Sequence, residues 1–250
     1  MYVSMKGMLQ RANEGNYAVM AINCFNIETA RAVINAAQEL RAPIIVNIVQ
    51  EHMVNHCDSA LIAPIVKLLA NRASVEVALN FDHGEDVGLL KKALQDGYSS
   101  VMVDASRYDL EGNIRMTREI VDFAKQFDAS VEGEIGCMGA SAGDNFTNED
   151  MKTNPQQALR FAKETGVDAL AISFGSSHGN YPKGYVPEFD FERLKEIKAL
   201  TKMPLVLHGG SGSGDENLRK AVACGINKVN ICTDAFQICK TAFLETQSQQ

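Results

Sequence analysis

Three of the five histidines, His83, His178 and His208, are each followed directly by glycine and each stand where an apolar run of strand length gives way to small or polar residues. A neutral imidazole is a common metal ligand, and three of them leave one position open on a tetrahedral Zn2+ for a substrate oxygen. Asp82, just before His83, is a carboxylate that stays ionised beside a dication and can take a proton from a substrate hydroxyl. Neighbours on a strand point to opposite faces, so Asp82 and His83 reach one site only if regular strand geometry ends there, which Gly84 permits. The competing reading makes Asp82 the acceptor that orients His83. Glu132 and Glu134 are two apart and share one strand face, and buried acids need a partner. Asp104 cannot neutralise Glu134, which implies a cation between them, a second metal position, or a lysine that the sequence does not identify.

A phosphate site is indicated by Gly209, Gly210 and Ser211, which offer N–H groups and a hydroxyl at the start of a helix, and by Asn230 and Thr233 from the next such turn. Asp234 reads as the cap of the last helix. Lys183 can meet a phosphate or face water. His52 and His56 share a helical face, but HxxxH without the glutamate of HExxH reads as surface or substrate contact.

These groups need elements to carry them. Strand-like runs occur at residues 18–24, 43–49, 75–81, 100–104, 130–135, 169–174, 205–207 and 228–231, with helical patterns between them, among them 28–40 and 61–70, and a leading helix at 5–11. Runs such as Ile44-Ile45-Val46 are apolar at consecutive positions, as in strands covered on both faces of a parallel sheet. Eight βα units in 250 residues match a TIM (β/α)8 barrel, one domain over residues 1–250. An open doubly wound sheet is the alternative, but no GxGxxG follows the first run. In a barrel the chemistry sits at the C-terminal strand ends, where these polar residues cluster. The irregular stretch 136–154 reads as an active-site loop or as a merely solvated one.

Composition narrows the rest. A hydrophobic fraction of 46% with 22% charged residues is that of a globular protein, and a net charge of -7 disfavours a nucleic-acid surface. No apolar run reaches the roughly 18 residues of a membrane span, and residues 1–6 lack a signal-peptide pattern, so a cytoplasmic protein is expected. Six cysteines without a CxxC pair, at 24, 57, 137, 224, 232 and 239, suit reduced, packed thiols.

Taken together, Phe81-Asp82-His83-Gly84, Val103-Asp104-Ala105-Ser106, Val131-Glu132-Gly133-Glu134-Ile135-Gly136, His178-Gly179-Asn180-Tyr181, Leu207-His208-Gly209-Gly210-Ser211-Gly212 and Lys228-Val229-Asn230-Ile231-Cys232-Thr233-Asp234 resemble the class II, metal-dependent ketose-bisphosphate aldolases of fructose- and tagatose-bisphosphate type. The resemblance runs through nearly the whole chain. It implies that His83, His178 and His208 bind a catalytic Zn2+, that Asp82 handles the hydroxyl proton, and that Asp104 and Glu134 serve a second divalent metal. It also implies that Gly179, Gly209, Gly210, Ser211, Asn230, Ile231, Cys232 and Thr233 hold the dihydroxyacetone phosphate half of a ketose 1,6-bisphosphate, with a monovalent cation such as Na+. A homo-oligomer, dimer or tetramer, is implied as well.

Three departures from the family pattern bear on the substrate. Asn47-Ile48-Val49-Gln50-Glu51-His52 stands where the family offers a serine for the far phosphate, which leaves room for a ketose 1-phosphate without a distal phosphate, its tail met by Asn47, Gln50 and His52. Gly139-Ala140-Ser141-Ala142-Gly143-Asp144-Asn145 lacks the family's acidic pair, so the second proton carrier is unassigned, with Asp144 a candidate. A sugar-phosphate binding barrel without catalysis is therefore a further alternative. The sequence reaches Gln250 inside what reads as the last helix, where relatives continue, so that helix reads as truncated.

Overall fold

The computed structural model describes residues 1–136, 152–177, 181 and 185–247. All eight predicted runs form strands: β1 (Val19–Asn23), β2 (Ile44–Val49), β3 (Val77–Gly84), β4 (Ser100–Val103), β5 (Ser130–Ile135), β6 (Ala169–Ile172), β7 (Leu205–Leu207) and β8 (Ile226–Ile231). They pair in parallel and in chain order, and β8 returns to β1. The fold is a closed TIM barrel of one domain. Boundaries shift by up to three residues, most at β3, which runs from Val77 on to Gly84, at β6, which ends at Ile172, and at β8, which begins at Ile226.

The helices among the described residues are α1 (Met5–Gly15), α2 (Ile27–Leu40), α3 (Gln50–Asn55), α4 (Ser59–Arg72), α5 (Val87–Asp96), α6 (Leu110–Ala124), α7 (Pro155–Thr165), α8 (Phe191–Thr201), α9 (Asp215–Ala223) and α10 (Thr233–Gln247). Local chemistry sets many of their starts. The side chains of Asn26, Asp58, Asp86, Asp109, Asn154 and Asp190 each accept a backbone N–H in the first turn of the helix that follows. Each such cap contributes about 0.5–2 kcal/mol.

The sheet has an apolar outer face, packed under the ring of helices through residues such as Val46, Leu79, Val101, Leu170 and Leu207. Its inner face changes character along the barrel axis. At the N-terminal end Val19, Ala21, Ile45, Ala78, Ala169, Ala171 and Val206 meet Met5, Met8 and Leu9 of α1, which plugs the barrel floor. Further toward the mouth, inner positions of β1, β2, β3, β5 and β8 turn polar: Asn23, Asn47, Asn80, Glu132, Lys228 and Asn230 are all buried. The Asn80 amide donates to Asn47 Oδ1 at 3.1 Å, one bond of that polar layer. Such bonds link the layer beneath the open end of the barrel, while Asn47 Nδ2, Asn80 Oδ1 and Asn230 Oδ1 have no partner among the described residues.

Candidate active site

The end of β3 is where the strand pattern breaks. The pairing register with β4 shifts between Phe81 and Gly84, and His83 takes a left-handed backbone with φ of 48°. That conformation is uncommon for a residue other than glycine and is held by its surroundings at functional positions. It turns the chain so that Asp82 and His83, successive residues, both reach the barrel mouth. The sequence anticipated an irregularity here, but the turn is made by His83 itself. Gly84 serves a different need: a Cβ there would run into Leu90 and lie 2.9 Å from the Met102 carbonyl oxygen.

Asp82 is buried, and both carboxylate oxygens are occupied: Oδ2 accepts from the Asn23 amide at 3.0 Å and Oδ1 from the Asn230 amide at 3.1 Å. Burial works against its charge, but His83, His208 and Lys228 outweigh that and hold the carboxyl below its ordinary range. Asn23 was missed from the sequence. Its signal was available, since it ends the inner face of β1 as a polar residue in an otherwise apolar run.

The two described histidines of the predicted triad converge. His83 Nε2 and His208 Nδ1 lie 3.0 Å apart. Their other nitrogens face carboxylates: His83 Nδ1 meets Asp104 Oδ2 at 2.7 Å, and His208 Nε2 meets Glu132 Oε1 at 2.8 Å. Each carboxylate accepts the ring N–H and so leaves the opposite lone pair aimed at the shared point, as partners of metal-binding imidazoles do. Burial pulls His83 down, yet the Asp82 charge and the Asp104 hydrogen bond push it up to about 10, so the carboxylates around this ring favour positive charge on it. Burial also lowers His208. Two nitrogens on a tetrahedral Zn2+ would stand about 3.3 Å apart, close to what the rings already adopt. Asp82, His83 and His208 form one group able to hold a cation, and His83, Asp104 and Glu134 a second. His178 and Gly179, with Asp144, Lys183 and residues 137–151 of the predicted loop, lie outside the described residues.

The two glutamates of β5 have different fates. Glu132 is fully buried and takes Lys228 Nζ on Oε2 at 2.7 Å, so the lysine of this site serves Glu132 and not the Asp104–Glu134 pair for which the sequence implied one. Burial opposes its charge, and Lys228 and His208 together keep it low. Glu134 Oε2 is buried with no hydrogen-bond partner among the described residues. Burial, then the Asp104 charge, push its carboxyl up to about 8. An orphaned acid facing Asp104 and His83 suits a cation there.

Beyond the imidazoles, Gly209 with φ of 65° packs against the Ser177 backbone, and a Cβ on Gly210 would lie 2.8 Å from the Asn230 carbonyl oxygen. The Gly210 N–H is taken by that carbonyl at 3.1 Å. The N–H groups of Gly209, Ser211 and Thr233 have no partner among the described residues. The Ser211 hydroxyl ties the two loops together, accepting from the N–H groups of Cys232 and Asp234, each at 3.2 Å. Asp234 lies within the first turn of α10, not at its cap, and accepts the Gly212 N–H at 3.0 Å. Gly209, Ser211, Asn230, Cys232 and Thr233 line the cavity over the site, about 370 Å3 in volume. Ile231 instead packs in the outer core, so only its backbone is near.

The barrel mouth gathers a buried carboxylate, two converging imidazoles and N–H groups without a partner among the described residues around one cavity, and the family model for class II fructose-bisphosphate aldolase matches residues 3–250. The chain belongs to the class II fructose-bisphosphate aldolase family. It is similar to the crystal structure of the YdjI aldolase of Escherichia coli K12, with 33% identity, 100% of this chain and 89% of that chain covered, and a TM-score of 0.89. It is also similar to fructose-bisphosphate aldolase of Campylobacter jejuni, with 25% identity, 93% and 77% covered, and a TM-score of 0.79. Among the aldolase's described residues no helix is long and apolar enough to cross a membrane.

The aldolase's remaining sequence candidates divide. Of Asn47, Gln50 and His52, only His52 lines the cavity. Asn47 is bonded to Asn80 below it, and Gln50 Oε1 accepts the N–H groups of Glu85 and Asp86 at 2.9 and 3.1 Å. His52 and His56 sit with ring centroids 5.9 Å apart in a cluster with Phe25 and Phe236. Glu51 and Glu85 complete that side of the mouth, and Glu85 pairs with Arg107 at 3.0 Å.

Proposed function

We propose that this aldolase is zinc-dependent and cleaves a ketose 1-phosphate between C3 and C4, giving dihydroxyacetone phosphate and an aldehyde. What carries the reading is the pairing of the His83 and His208 nitrogens, 3.0 Å apart, beside a doubly held Asp82 carboxylate. His83 and His208, with His178, would hold the ion, and Asp104 and Glu134 a second divalent metal. A bound zinc ion would polarise the C2 ketone and stabilise the negative charge that develops at C3.

The protein's own groups supply the rest. Each Asp82 oxygen accepts one N–H and keeps a further lone pair, so the carboxylate can take the C4 hydroxyl proton in cleavage and return it in condensation. Asn23 and Asn230 hold it in place for that transfer. The unpaired N–H groups of Gly209, Ser211 and Thr233 suit the C1 phosphate, which would fix C3 and C4 over Asp82. A monovalent cation such as Na+ beside that phosphate is part of the same reading.

The far end of the sugar has two readings. The family's description, class II fructose-bisphosphate aldolase, supports a ketose 1,6-bisphosphate of fructose type, and the sequence motifs fit the tagatose type as well. A tail without phosphate is favoured by the cavity wall itself, where Glu51, His52 and Glu85 stand and no lysine or arginine appears among the described lining residues. The Glu51 carboxylate there repels a second phosphate, while Glu85 is already paired with Arg107.

Coupled assays for dihydroxyacetone phosphate on fructose and tagatose bisphosphates, against ketose 1-phosphates with uncharged tails, decide the matter. Release of dihydroxyacetone phosphate, lost on chelation and restored by zinc, is the expected result. No release from any of these substrates, with no solvent exchange of the C3 proton of dihydroxyacetone phosphate, would leave a binding barrel without catalysis.

A further inference from the structure

The reaction outlined above gives no task to Lys228, a fully buried charge beneath the site. It lies on the inner face of β8, two residues before Asn230, and among the described residues Glu132 is its one hydrogen-bond partner. A buried ion pair is a poor way to stabilise a core, because removing both charges from water offsets their attraction and apolar residues of similar volume serve as well. Apolar residues fill the positions paired with it on both neighbouring strands, Val19 of β1 and Val206 of β7. The pair is placed where one more hydrogen bond reaches His208.

We propose that Lys228 is a positioning residue that fixes, through Glu132, which nitrogen of His208 faces the metal site. An ammonium carries donors only, so Glu132 Oε2 must accept from it at 2.7 Å. The carboxylate is thereby anchored, and Oε1 stands as an acceptor against His208 Nε2 at 2.8 Å. Nε2 then carries the ring proton, and Nδ1 presents its lone pair toward His83. β5 and β8 are not neighbours in the barrel, with β6 and β7 between them, so the anchor must cross the interior. A long side chain from β8 does that. His83 is served differently: its carboxylate, Asp104, is held from its own loop by the Ser106 hydroxyl at 2.7 Å. One imidazole is thus set from the rim and the other from the floor.

This inference rests on the metal-site reading, and its test separates the two. Zinc affinity of the metal-free protein, measured by competition with a chromophoric chelator, is compared with the His208 tautomer from long-range 1H–15N spectra. The proteins are wild type, Lys228→Met and the double variant Lys228→Met/Glu132→Gln. Lys228→Met should bind zinc about 10–100-fold more weakly and lose the single Nε2–H tautomer. The double variant has no lone buried carboxylate, so it should regain the thermal midpoint but not the zinc affinity; if Lys228→Met does not fold, it carries the comparison. Zinc affinity within about threefold of wild type in Lys228→Met, with the tautomer kept, overturns the proposal. So does a double variant that regains both midpoint and affinity, which would make the pair structural. A wild type that binds no zinc defeats the metal-site reading and the positioning role with it.

Discussion

His83→Asn and His208→Ala should each lower kcat/KM for aldol cleavage by roughly a thousandfold or more, because several kcal/mol of charge stabilisation at the transition state depend on the ion these rings would hold. The choice of replacement matters. His83 sits at φ of 48°, a left-handed conformation that asparagine tolerates and alanine does not, so His83→Asn removes the imidazole while sparing the backbone. His208→Ala also leaves Glu132 Oε1 without its partner, a buried acceptor whose loss costs about 1–3 kcal/mol. A thermal midpoint for each metal-free variant separates that cost from the loss of the ion. If both variants bind zinc as the wild type does and keep their activity, the imidazoles are not its ligands.

Asp82→Asn tests the proton transfer in the same assay. Removing a general base lowers kcat by about 10^2–10^4-fold. Zinc affinity should change far less, because the two imidazoles stay in place. Some misalignment is expected as well: both Asp82 oxygens accept an N–H, from Asn23 and Asn230, whereas an asparagine offers only one acceptor. The pH profile adds a second readout. The neighbouring cations hold the Asp82 carboxyl below its ordinary range, so it is already ionised wherever the protein is active. Its charge is lost only as pH falls through that depressed value, and between roughly pH 5 and 8 the kcat profile should show no limb from this group. A limb near neutrality that vanishes in Asp82→Asn would mean that this carboxyl titrates there, contrary to its surroundings.

Much of the fold was legible because each strand is a short apolar run ending in polar residues. That pattern follows from a sheet covered by helices outside and opening onto a cavity at one end. The convergence of His83 and His208 was legible for the same reason, since both stand at strand ends. The irregularity between Asp82 and His83 was legible as a requirement, although not its form: nothing in the letters says that the histidine, and not Gly84, adopts the left-handed backbone. Lys228 was half legible. Alternation along β8 puts it on the same face as Asn230, but its partner Glu132 lies three strands away across the barrel, a distance that strand patterns do not encode. Asn23, the other support of Asp82, was legible as a polar end to an apolar run, but nothing in the run says that its amide turns to a carboxylate on β3. Asn47 and Gln50 were offered as sugar contacts from their position after β2, yet the first is bonded beneath the cavity and the second braces the turn after β3.

The arrangement most in need of a direct look is the ligand shell around the ion. Zinc K-edge X-ray absorption fine structure on the zinc-loaded protein should show imidazole-type scattering with nitrogen at about 2.0–2.1 Å. The His83→Asn and His208→Ala variants should each lose part of it. A shell of oxygen or sulfur without imidazole scattering, unchanged in both variants, would place the ion elsewhere and contradict the account.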